Sequence, residues 1–415
     1  MNKIKNWISK NRLIFNCILL AILFCFNCFA EEGAYLVYPL LAIFMFTESR
    51  KDALSLLIFS IPFICLSMPI SIYMYFACVI LYEIKSYIVA YCIDKKKPSK
   101  TLLIVLGVFV GFCLLPIGEY NVNLIVKLCC ILTIVSVVTL FTKYPDDFRL
   151  KYNLRLLSVS LLISSAYSLL YFVSPYLRSI FAFNSSGATI IRFPALFNNI
   201  NELAMLCEVC LALLVYLTLR KATVFADIIP FIIFSIVGLT TISKTFIILY
   251  GVMMIVLLVH CFRLYPFKTL LCVTVGAFLV MCIVIMKSDF VVKYANRFIN
   301  EDVFTAEWSE KLSYITTGRY DLWVDMITYI GQNPQIILFG AGLGGEKVSI
   351  ESPHNFFITA LYNFGIIGLI LFVALFAVLV ANMRKQGIKL GGAIAVPIVI
   401  LCMLFLAEDF FLYIR

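Results

Sequence analysis

Residues 316–370 read TTGRYDLWVDMITYIGQNPQIILFGAGLGGEKVSIESPHNFFITALYNFGIIGLI. The stretch passes from a polar segment into an apolar one. From Phe356 to Met383 there is no charged side chain, a run long enough to cross a bilayer as a helix. Ahead of it, Trp323, Met326 and Ile330 recur at helical spacing between Arg319 and Gly331, and Asn333-Pro334 ends the run. At about 100° per residue Arg319 shares the face of those three, whereas Asp321, Asp325 and Thr328 point the other way. The spacing therefore predicts an amphipathic helix with an arginine on its apolar side, followed by a return to the membrane.

The whole chain supports a membrane setting. Hydrophobic residues make up 63% and mean hydropathy is +1.03, more apolar side chain than one water-soluble core can bury. Only 13% of residues are charged, and the apolar runs lack the alternation that a barrel strand requires. The expected fold is all-α, a polytopic transmembrane helix bundle. The formal charge of +10 comes from short Lys and Arg clusters between apolar runs, which fits membrane orientation and anionic lipid better than nucleic acid. The fifteen cysteines sit nearly all inside apolar runs and the two histidines are far apart, so no zinc site, other metal, disulfide framework or cofactor is expected.

Lys3, Lys5, Lys10 and Arg12 precede a first span over about Leu13–Ala30, which lacks a signal-peptide cleavage site and is expected to be retained with its start on the cytoplasmic side. Basic clusters at Arg50-Lys51, Lys95–Lys100, Lys143–Lys151, Arg220-Lys221, Arg263–Lys268 and Arg384-Lys385 recur at every second turn, giving about 12–13 spans, with the run from Leu54 to Ile93 split near Pro69. Two longer segments fall on the outer side. One is 174–201; the other, 288–354, carries five basic and nine acidic residues, the reverse of the inner loops. The organisation expected is a helix bundle over 1–287, a large, partly helical outer loop over 288–354, and C-terminal transmembrane helices over 355–415.

Arg319, in the first turn after a Thr317 cap, would combine its planar fork with free backbone N–H groups to hold an anion such as a diphosphate; the alternative is a snorkelling arginine or one paired with Asp289 or Glu351. His354 follows Ser352-Pro353, a cap and first helical residue for the next span, and a helix N-terminus disfavours the imidazolium and keeps a neutral base available. His260, beside Arg263 at the inner end of a run, reads as structural. Gly340, Gly342, Gly344 and Gly345 either bring backbone N–H groups close to a phosphate or sugar or form a bend; no Walker lysine accompanies them. Arg192 precedes Asn198, Asn199, Asn201 and Glu202, which open the next span; the amides either cap that helix or bond sugar hydroxyls. Lys244 sits at an outer span junction with no acidic residue adjacent in sequence and would either neutralise a phosphate or snorkel, and Lys127 is a charge within a span.

RFPALFNNINELA (192–204), LTTISKT (239–245), TGRYDLW (317–323) and GAGLGG followed by SPHNFFITALYNFGIIGLI resemble the O-antigen polymerase and O-antigen ligase family of bacterial inner-membrane glycosyltransferases. The likeness covers about the second half of the chain; the first half is similar in hydropathy only. It implies metal-independent transfer of a glycan from undecaprenyl diphosphate on the periplasmic face of the cell inner membrane. His354 and Arg319 match the family's functional histidine and arginine, Arg192 its arginine before an Asn-rich helix start, and Lys244 stands where the family usually has arginine. The substrate-binding set expected is Arg192, Lys244, Asn201, Asn355, Gly342 and Gly344. The chemistry is consistent: such a transfer needs a base for the acceptor hydroxyl and positive charge for the departing diphosphate.

The reading is a repeat-unit polymerase in lipopolysaccharide or related polysaccharide biosynthesis, with an undecaprenyl-diphosphate-linked oligosaccharide and membrane lipids as partners and a chain-length regulator protein as a further one. A ligase would deliver the same glycan to lipid A core. A lipid-linked oligosaccharide flippase is the third reading, disfavoured because broken mid-membrane helices and related halves are not evident.

Overall fold

The computed structural model describes residues 11–29, 33–64, 69–95, 99–115, 122–173, 195–197, 200–220, 225–267, 274, 310–313, 318–343 and 355–385. Among these the chain is helical without a strand. The helices are α1 (Arg12–Phe29), α2 (Ala34–Thr47), α3 (Arg50–Ile64), α4 (Pro69–Ile88, continued by a π turn Val89–Ile93), α5 (Lys100–Cys113), α6 (Val122–Lys143) and α7 (Leu150–Val173). There follow α8 (Ile200–Leu219), α9 (Ile228–Thr240), α10 (Lys244–Leu264), α11 (Arg319–Gln332), α12 (Pro334–Phe339) and α13 (Phe356–Lys385). The break expected near Pro69 is present, since Tyr75 Oη on α4 donates to the Leu57 carbonyl on α3 at 3.1 Å and the chain must double back between them.

Five helices among the described residues are long and apolar enough to cross a membrane, over Tyr73–Ile93, Leu150–Leu170, Ile200–Leu219, Lys244–Leu264 and Phe357–Asn382. Four shorter apolar helices accompany them, α1, α2, α5 and α9. α10 shows why lipid is the fitting solvent. Its mean hydropathy is 2.4, yet Ile248, Val252, Ile255 and Val259 are all exposed, a face that water would drive into aggregation.

Charges gather at one end of the bundle, a belt that fixes helix directions. Arg12, at the start of α1, lies 2.7 Å from Glu48 in the α2–α3 turn. Arg50 reaches Asp147 at 3.1 Å, stands 3.8 Å from Asp94 and covers the Tyr144 ring at 3.6 Å. Arg149 binds Asp52 at 2.7 Å, joining the α6–α7 turn to the head of α3. Arg155 holds Asp227, just before α9, at 2.7 Å. Lys85 donates to the carbonyls of Met45, Phe46 and Glu48, neutralising the negative end of α2. Ser99, before α5, approaches Asn382 near the end of α13 at 3.4 Å. The basic clusters at Arg12, Arg50-Lys51 and Arg149 thus share one end, as their spacing predicts, and they are paired with acidic residues from distant turns.

Among the described residues three larger apolar cores and a smaller one between α11 and α13 hold the helices together. Phe24 and Phe63 stack at 4.7 Å in the first, among α1–α4. The second joins α7 to α8, α9 and α10, and the third packs α5 and α6 on α13 through Phe109, Phe364 and Phe372. Inside lipid, close packing and interhelical hydrogen bonds must replace water exclusion as the driving force. The buried bond from Ser55 to Asn153, 2.7 Å between α3 and α7, is one such contact.

Candidate functional site

Helix direction places the described candidates at the end opposite the belt. α9 starts at the belt beside Arg155, so its far end and the Thr241–Lys244 junction lie away from it. α8 runs into that same start of α9, which puts Asn201 away from the belt too. α13 ends at the belt, so Asn355 and everything packed on the first turns of α13 share the opposite end.

α11 carries Arg319 as its first residue, half-buried. The N-cap position is taken by Gly318 with φ +81, and not by Thr317, which lies outside the described residues. Gly318 N–H donates to the Ser313 carbonyl at 2.7 Å, and the Ser313 hydroxyl donates to Asp321 in the same first turn. The amphipathic face is as the sequence spacing indicates: Met326 and Ile330 are buried, Trp323 is half-buried, and Asp321, Asp325 and Thr328 are exposed. Met326 and Ile330 pack on Tyr362, with Ile358 and Leu361 beside them, so α11 rests on the start of α13. Asn333 ends α11 and Pro334 opens α12, the break expected there.

The glycine turn after α12 is built into the fold. Gly340 and Gly342 have φ of +79 and +82. Gly340 N–H closes on Ile336, Ala341 N–H donates to the Tyr362 carbonyl at 2.7 Å and Gly342 N–H to the Asn363 carbonyl at 3.0 Å. α13 is broken at Gly365, φ +60 and ψ −171. The two glycines meet at this crossing: a Cβ on residue 340 would fall 2.3 Å from the Asn363 carbonyl oxygen, and one on residue 365 would fall 2.5 Å from the Gly340 nitrogen. The Gly342 N–H expected to face a substrate is therefore engaged by the helix, and the turn serves to dock α12 on α13. Gly344 lies outside the described residues.

The last span starts later than expected. Instead of Ser352 capping and Pro353 opening it, Asn355 is the cap: its Oδ1 accepts from Phe357 N–H at 3.0 Å and Ile358 N–H at 3.3 Å. Asn is as good a cap as Ser, so the candidates compete and the nearer one to the apolar run is used. The Asn355 oxygen is thereby occupied, and its amide nitrogen is the part able to donate to a ligand. His354, the residue before this cap, lies outside the described residues, as does Arg192.

Lys244 opens α10 after a sharp junction. Thr241 Oγ1 donates to the Gly238 carbonyl at 2.6 Å, Ile242 takes a left-handed φ of +50, and Ser243 occupies the N-cap position. The Phe246 ring lies over Gly238, where a Cβ would come within 2.1 Å of it. Lys244 is half-buried and so is Asn201, the second residue of α8. α11, α12 and α13, the helices that carry Arg319 and follow Asn355, pack on one another around Tyr362 and the glycine turn, while Lys244 opens α10 and Asn201 lies at the start of α8.

The Gly365 break is the feature that sequence reading missed. A glycine within a long apolar run is its signal, and Gly-Ile-Ile-Gly reads equally well as an unbroken helix. Chemically, the end opposite the belt offers a guanidinium, an ammonium and amides around helix N-termini, a set suited to anions and hydroxyl-rich ligands. No protein family, curated protein or solved structure is significantly similar to the chain.

Proposed function

We propose that the chain is a metal-independent membrane glycosyltransferase, a repeat-unit polymerase that passes a growing glycan from undecaprenyl diphosphate to the non-reducing end of another lipid-linked repeat unit. The observation that carries this reading is the collection of Arg319, Asn355, Lys244 and Asn201 at the end of the bundle remote from its basic belt. With the belt on the cytoplasmic side by the positive-inside bias, that end faces the periplasm of a bacterial inner membrane.

In this mechanism an acceptor hydroxyl attacks the anomeric carbon as the bond to the diphosphate breaks. His354 takes the hydroxyl proton. Arg319, opening a 14-residue helix, meets the leaving diphosphate with its fork and the first-turn N–H groups. Lys244 and Arg192 supply further positive charge, while the Asn355 and Asn201 amides orient sugar hydroxyls. A diphosphate is a weak base, so no general acid is required.

The test is His354→Ala in the native host, with lipopolysaccharide separated by size. Loss of a polymerase leaves a single repeat unit on core. Bare core with accumulated lipid-linked polymer would instead identify a ligase, and single units stranded on the inner leaflet a flippase.

A further inference from the structure

A second site lies away from the glycosyl-transfer end and does not depend on that reading. Between α4, α5 and α6 is a cavity of about 440 Å³, lined by apolar side chains such as Leu102, Leu106 and Leu132 and by hydroxyl-bearing ones such as Thr133, Ser136 and Thr139. Glu83 lines it, with only 8% of its surface exposed. Its Oε1 has no hydrogen-bond partner among the described residues. Three of the lining hydroxyls are engaged elsewhere: Ser136 Oγ donates to Tyr87 Oη and Tyr87 Oη to the Ser136 carbonyl, each at 3.2 Å, and Thr139 Oγ1 donates to the Val135 carbonyl at 2.7 Å. An acceptor buried without a donor costs free energy unless something fills the role.

Size decides what that is. A bare cation needs a close shell of oxygens, at about 2.3–2.6 Å for calcium, and this cavity is far too wide and apolar to give one. Glu83 stands two residues, about 3 Å of helical rise, from Lys85, and Ser99 also lines the cavity, so the cavity lies toward the belt end of α4 and α5. We propose that the cavity binds a lipophilic small molecule with an amine or hydroxyl donor, its apolar body against the leucines and its donor on Glu83 Oε1. The only charged residue of α6 before its C-terminal Lys143 is Lys127, nine residues from Ser136 and so about 13 Å along the axis. Lys85, on α4, is turned to the carbonyls at the end of α2.

The purified full chain, in detergent, is titrated with adamantylamine, adamantanol and the near-isosteric methyladamantane while thermal unfolding is followed by circular dichroism. Binding to the folded state raises the unfolding temperature. The amine and alcohol are expected to show apparent affinities at least about tenfold tighter than methyladamantane, the factor one net hydrogen bond supplies. Glu83→Leu should bring all three to the same affinity, and Lys127→Met should leave the preference intact. Leu106→Trp, which fills the cavity with Glu83 in place, should abolish the preference even where Glu83→Leu fails to fold. Equal affinities in the native chain, a preference that survives Glu83→Leu or Leu106→Trp, or its loss in Lys127→Met would overturn the assignment.

Discussion

Replacing Gly365 by alanine perturbs the crossing on which the geometry of the candidate site rests. The backbone there, φ +60 and ψ −171, belongs to a region used almost solely by glycine, and holding another residue in it costs about 1–3 kcal/mol. The added Cβ would also fall 2.5 Å from the Gly340 nitrogen and from the Leu338 carbonyl carbon, both backbone atoms with little freedom to yield. Overpacking of that kind costs about 1–3 kcal/mol. Relief of one strain partly relieves the other, so a total of about 3 kcal/mol is expected, a factor of about a hundred in the opening equilibrium. The effect should be local, because the bonds at risk are those from Ala341 to Tyr362 and from Gly342 to Asn363. Hydrogen exchange read by mass spectrometry should show peptides over 338–343 exchanging about a hundredfold faster. Gly251→Ala, within α10 and with nothing inside 4 Å of its Cβ, is the matched control and should change little. Unchanged protection in Gly365→Ala, or an equal change in the control, would refute the docking role of the crossing.

Further expectations concern single side chains. Arg319→Lys keeps the charge but loses the planar fork, so glycan transfer should fall at least about tenfold, measured as the rate of donor consumption, with Arg319→Ala lower still. Asn355→Ala removes the cap of α13 and should lower stability by about 1 kcal/mol in thermal unfolding, while Asn355→Asp or Asn355→Ser recovers most of it; equal loss in all three would speak against capping. Asp147→Asn leaves Arg50 with the more distant Asp94 and the Tyr144 ring, and this partly exposed pair should account for about 1–2 kcal/mol in the same assay. Cysteines placed at the exposed positions Lys51 and Asp325 should react with a membrane-impermeant reagent from opposite faces of sealed vesicles; labelling of both from one face would contradict the helix directions.

Much of this arrangement was legible in the chain because it is local. Pro69 ends one apolar run and starts the next, Asn333-Pro334 stops α11, and the 3.6-residue spacing of Met326 and Ile330 names the buried face of that helix. The shared end of the basic clusters followed from charge bias alone. Their acidic partners did not: Asp94, Asp147 and Asp227 lie 44, 97 and 72 residues from Arg50 and Arg155 in sequence, and pairing over such distances appears only once the helices are packed. The start of α13 was displaced because Ser352, Pro353 and Asn355 are all good helix openers, and propensity cannot rank them. The glycine turn read as a binding loop since nothing nearby in sequence reveals that Tyr362 and Asn363 consume its N–H groups. Glu83 was hidden in a run whose apolar character was the stronger signal.

Glycosyl transfer itself is tested most directly with purified protein and a defined undecaprenyl-diphosphate-linked repeat unit as both donor and acceptor, no metal being added and chelator present. The expected result is a ladder of lipid-linked products longer than one unit together with released undecaprenyl diphosphate, both abolished by His354→Ala and restored by no added cation. Absence of any product from the native chain under conditions where it remains folded, or undiminished products from His354→Ala, would contradict it.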